Sequence, residues 1–119
     1  MMALMHAAQS RAVSEGAPMM LWLDAKGGAY GVEAETSGQN GDPKAETLTV
    51  DSTLLLSVPN SAADAPTRFK NLPAIRYLPD GMVDEGSPQT VQLTDADGFA
   101  RLLVQTKMRT GYEISEKAR

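Results

Sequence analysis

Residues 1–24, MMALMHAAQSRAVSEGAPMMLWLD, change their hydrophobic period once, and that change decides the fold. Up to Gly16, apolar side chains recur at helical spacing, with Met1, Leu4, Met5, Ala8 and Ala12 on one stripe. Gly16 with Pro18 two residues on is a helix stop, because Gly accepts a left-handed backbone and Pro cannot continue the ladder. Beyond it the run Met19 to Asp24 has no such spacing and reads as a strand. Tyr30 to Ala34 supplies its partner, with the bend at Gly27-Gly28. One helix feeding directly into a β hairpin is the frame for everything downstream.

The other side of the helix carries Ala3, Ala7, Ser10 and Ser14 at i, i+4, i+7 and i+11. Side chains this short let a second helix approach closely. A solvated face filled with good helix formers gives the same pattern, and the sequence leaves both readings open.

Outward from this frame, turn residues cut the chain into short apolar runs. Glu35 to Lys44 is polar, without an apolar period, and reads as a surface loop. Leu48 to Val58 is apolar and β-branched, either one long strand or two broken near Asp51-Ser52. Asn60 to Lys70 is a second polar excursion. Ile75 to Leu78, Thr90 to Thr94, Phe99 to Thr106 and Tyr112 to Ser115 read as strands. Their turns fall at Pro79-Asp80-Gly81, Asp97-Gly98 and Thr110-Gly111. The layout is α+β, an N-terminal α-helix packed on a mainly antiparallel two-sheet body of about seven to eight strands. One domain is expected over residues 1–119, with the helix at 1–16, the β body at 17–115 and a tail at 116–119. Leu4, Met5, Ala8 and Ala12 should pack against strand residues such as Trp22, Val104 and Ile114. On the strand from Phe99, alternation is expected to turn Ala100, Leu102 and Val104 inward.

Composition narrows the function. The chain has 119 residues, a net charge of −4, one His and no Cys. An acidic balance repels polyanions, so no nucleic acid is expected as a partner. Without Cys there is no disulfide, redox pair or thiolate metal site. The longest apolar run, PMMLWL, is far short of the roughly 20 residues of a membrane span. No secretory signal is read, and the doubled Met reads as an initiator added to a trimmed chain.

The chemistry-bearing residues are sparse. His6, the lone His, falls on the solvent side of the helix and cannot build a His cluster. No GxSxG, GxxxxGK[ST] or GxGxxG occurs, so neither a nucleophile elbow nor a nucleotide cradle is present. Asp80, Asp84, Asp95 and Asp97 sit in turns, where Asp is favoured because it bonds its own backbone. The stretch TDADG lacks the continuation of a calcium-binding EF-hand. No catalytic residue, cofactor site or metal site is expected, and the chain does not read as an enzyme.

The order of the motifs resembles the GspH/FimT group of type IV pilin-like proteins. Gln9-Ser10-Arg11-Ala12-Val13 is similar to the stretch with which that family's helix leads into its first strand. Ile75, Tyr77, Pro79, Asp80 and Gly81 match its later strand and turn, and Thr110-Gly111-Tyr112-Glu113-Ile114 match its closing strand. The resemblance spans the chain except for 35–44 and 60–70. It implies a pilin-like fold and a non-enzymatic minor pseudopilin of a type II secretion system, assembling with other minor and major pseudopilins in a short fibre. It further implies a prepilin leader and an apolar anchoring helix upstream, with the head in the periplasm. The alternative it implies is a minor pilin of the FimT/FimU kind, acting in pilus assembly or DNA uptake. On either reading Pro79-Asp80-Gly81 is a structural corner, and Ala3, Ala7, Ser10 and Ser14 are the candidate partner-binding residues.

Overall fold

The stop at Gly16 forms as the sequence requires. Helix α1 (Met2–Glu15) ends with Gly16 at φ 64° and with the Ala17 N–H donating to the Ala12 carbonyl at 3.2 Å. That six-residue closure is a Schellman motif, and only Gly takes its left-handed position without steric cost. The computed structural model describes residues 2–35, 44–50, 53–58, 67–69, 72–88 and 90–117, the side chains of 68, 116 and 117 excepted. Met1, most of the loop from Glu35 to Lys44 and the Asp51-Ser52 break lie outside the described residues.

Among the described residues nine strands follow, one more than the seven to eight expected: β1 (Met19–Asp24), β2 (Ala29–Ala34), β3 (Glu46–Thr49), β4 (Leu55–Ser57), β5 (Arg68–Phe69), β6 (Leu72–Tyr77), β7 (Thr90–Thr94), β8 (Ala100–Gln105) and β9 (Tyr112–Lys117). All but the two-residue β5 span three residues or more. They form two sheets, ordered β3-β2-β1-β6-β5 and β4-β7-β8-β9, with every pairing antiparallel. The expected fold, a helix on a two-sheet antiparallel body, is the observed one. The run Leu48 to Val58 is two strands, β3 and β4, that enter different sheets. The polar excursion from Asn60 to Lys70 contains β5, and β9 runs two residues past Ser115.

Register sets the core. Cross-strand partners share a face, so Leu21 with Val32 and Ile75, Met19 with Ala34 and Tyr77, and Leu23 with Tyr30 build one apolar surface. Helix α1 packs on β1, β2 and β6, burying Leu4, Met5, Ala8 and Ala12 as the stripe requires. The same cluster runs into the second sheet through Leu56, Val91, Leu103 and Tyr112.

Three packing expectations need correction. Trp22 is half-buried on the opposite face of the first sheet, because Met19, Leu21 and Leu23 take the core side and a period of two sends Trp22 away. There its indole lies over Gly31, where a Cβ would come within 2.5 Å of both the ring and the Glu46 carbonyl oxygen. On β8, Leu103 rather than Leu102 or Val104 turns inward, because its partner in register is the buried Val91. Leu102 and Val104 are half-buried on the outer face, and of the three expected inward only Ala100 is buried. Ile114 shares the face of Leu103 but is 58% exposed, since β9 is an edge strand and the core ends at Tyr112.

Candidate interaction surface

The outward face of α1 is assembled by the same packing that buries its inner stripe. With Leu4, Met5, Ala8 and Ala12 against the sheet, Ala3, Ala7, Ser10 and Ser14 are all exposed on the other side. They span about 16 Å along the axis at 1.5 Å per residue. The Ser14 hydroxyl donates back to the Arg11 carbonyl at 3.3 Å, so that polar group is met within the helix. Arg11 pairs with Glu15 one turn on, at 2.6 Å, and the Lys44 ammonium lies 3.8 Å from the same Glu15 carboxylate. His6 is exposed, as its helical position requires. The result is a smooth, weakly polar strip with charge at its C-terminal end.

The turn carboxylates hold backbone. Asp80 accepts the Met82 N–H at 2.9 Å, and Gly81 closes the Pro79-Asp80-Gly81 corner by donating to the Leu78 carbonyl at 2.9 Å, with φ 89°. In the β7–β8 turn the organising carboxylate is Asp95, which accepts from the N–H groups of Asp97 and Phe99. Asp84 accepts the Gly86 N–H at 2.9 Å and an Arg76 N–H at 2.7 Å. These bonds hold its carboxyl below the usual range, the Gly86 N–H contributing most. Arg76 also donates twice to Glu35, at 2.7 and 3.1 Å, so its guanidinium is raised further above its ordinary value. Among the described residues no three His, Asp or Glu side chains gather to hold a metal ion.

Two features escaped the sequence. Gln9, on the flank of the helix, donates its side-chain amide to the carbonyls of Gly81 and Thr110. Large apolar side chains also stand exposed, among them Val13, Leu55, Phe99, Met108 and Ile114. The first depends on contacts far apart in the chain. For Leu55 and Ile114 the second follows from β4 and β9 being the edges of their sheet, which no local pattern encodes.

The comparisons with known proteins bear on most of the chain. The family model described as type II transport protein GspH matches residues 1–108. No curated protein matches. Among solved structures, the minor pseudopilin EpsH from the type 2 secretion system of Vibrio cholerae superposes with a TM-score of 0.64. That match covers 96% of this chain and 87% of that one at 11% identity, a likeness of fold.

Proposed function

From the premise that this chain belongs to the GspH family of type II transport proteins, we propose that the outward face of α1 is where it joins neighbouring subunits. Membership makes the chain a non-enzymatic minor pseudopilin, a structural subunit of the type II secretion pseudopilus. The finer reading is that residues 1–119 are one periplasmic domain, held to the inner membrane through an apolar helix upstream. Among the described residues no helix is long and apolar enough to cross a membrane. In that arrangement the head meets other minor and major pseudopilins along Ala3, Ala7, Ser10 and Ser14.

The observation that carries this reading is the placement of those four side chains. They are small, exposed and roughly opposite the buried stripe. Short side chains let two helix backbones come close, and dispersion contacts grow with that closeness. The net charge of −4 argues against a DNA-contacting pilin. The test is Ala7→Trp in the chain bearing its upstream helix. The variant should fold like the parent while losing binding to partner pseudopilins and blocking secretion. Secretion and binding at parental levels would reduce the face to solvated surface.

A further inference from the structure

Three stretches that the sequence marks separately, Gln9 to Val13, Pro79 to Gly81 and Thr110-Gly111, meet at one side chain. Gln9 Nε2 donates to the Gly81 carbonyl at 2.5 Å and to the Thr110 carbonyl at 2.8 Å. The acceptors lie 72 and 101 residues further along the chain. Gly81 belongs to the corner after β6 of the first sheet, and Thr110 to the β8–β9 turn of the second. An amide nitrogen carries two N–H donors, so one side chain serves both.

Both acceptors are set independently of the helix. The Val83 N–H donates to the Arg109 carbonyl at 2.8 Å, tying the two turns together. The Thr110 N–H is held by the Thr106 hydroxyl at 3.0 Å, and Gly81 is fixed by the corner described above. Val13, one helical turn beyond Gln9, lies beside Gly81, 3.6 Å from where a Cβ would stand.

The buried stripe of α1 holds the helix down but specifies its rotation poorly. Two of its four members are Ala, and apolar burial is non-directional. Hydrogen bonds weaken steeply with angle, so a pair from one amide to two fixed carbonyls is directional in a way the stripe is not. We propose that Gln9 is the positioning residue that fixes the rotation and tilt of α1 on the β body. Resting on the assembly reading above, it thereby sets the direction in which Ala3, Ala7, Ser10 and Ser14 are presented to a partner.

The chain has no Cys, so a spin-label pair at His6→Cys and Lys26→Cys, both exposed, is unambiguous. With Gln9 present the distance distribution between helix and β1–β2 turn should be narrow. Gln9→Met, which keeps the length and removes the donors, should widen and shift it while amide-exchange protection of the strands is unchanged. Gln9→Lys, which restores donors, should narrow it again. Should Gln9→Met fail to fold, Gln9→Glu gives the same answer by pH: wide at neutral pH, where a carboxylate faces two carbonyls, and narrower once protonated. Partner binding by Gln9→Met should weaken about tenfold through lost preorganisation. A distribution that stays narrow in Gln9→Met overturns the proposal, as does a widened one with parental binding. Failure of the assembly reading is seen elsewhere, as parental binding by Ala7→Trp with its distances still narrow.

Discussion

Ala7 and Ala8 are the same side chain one residue apart on the same helix, and they live in opposite environments. Ala8 is 0% exposed, seated with Leu4, Met5 and Ala12 against the first sheet, whereas Ala7 stands in the open beside Ala3 and Ser10. A small residue inward lets the helix sit close to its own sheet. A small residue outward contributes nothing to the monomer that a larger one would not. The contrast separates a side chain that the fold uses from one that it leaves in the open, and the first side is the easier to break.

Ala8→Trp should have the largest effect. A bulky ring there has no space to enter, and overpacking should remove about 3 kcal/mol of stability or more, or prevent folding. Ala7→Trp should stay within about 0.5 kcal/mol of the parent. Urea unfolding of the two variants side by side measures the contrast directly.

A second matched pair sharpens it within the core. The Tyr112 hydroxyl donates to the Pro88 carbonyl at 2.5 Å, whereas the Tyr77 hydroxyl has no partner among the described residues. Burial raises both phenols above the ordinary Tyr value, so both stay protonated at neutral pH. Tyr112→Phe leaves a carbonyl without its donor and should cost about 1–3 kcal/mol. Tyr77→Phe removes a group that burial leaves unmet and should be neutral or slightly stabilising. Equal losses in thermal melts would show that the Tyr112 bond contributes nothing.

A smaller effect belongs to the face of the first sheet turned away from the helix, where Arg76 joins Glu35 and Asp84. Because the folded carboxyl of Asp84 titrates below its ordinary 3.8, its contribution is full above that pH and is lost as pH falls through the lower folded value. Asp84→Asn should therefore cost about 1 kcal/mol at neutral pH. The gap to the parent should close below pH 3.8, and chemical denaturation across pH checks it. A gap that persists in acid would mean the loss is steric.

The same contrast explains how much of the molecule was legible in the sequence. The inner stripe of α1 was readable because Leu4, Met5, Ala8 and Ala12 are placed by local helical period, and the Gly16 stop by local backbone chemistry. Trp22 was not, because MMLWLD is apolar on both faces and alternation alone cannot say which face is the core. The same ambiguity misled the phase of β8. Leu102, Leu103 and Val104 are consecutive apolar residues, and only pairing with Val91 chooses among them. Pro79-Asp80-Gly81 was legible as a corner from its own residues. That Gln9 docks on it was not, since the contact spans 72 residues. For the candidate site, the sequence named the four small residues and the structure placed them outward.

The central claim is that this outward face meets another subunit. A single Cys at Ala7, in a chain that otherwise has none, should leave stability unchanged within about 0.5 kcal/mol. A short thiol-to-amine cross-linker on that Cys, applied during secretion with Leu55→Cys on an exposed strand as the comparison, reads the contact directly. The account predicts a covalent adduct to a neighbouring pseudopilin from position 7 and little from position 55. An adduct from position 55 with none from position 7 would contradict it.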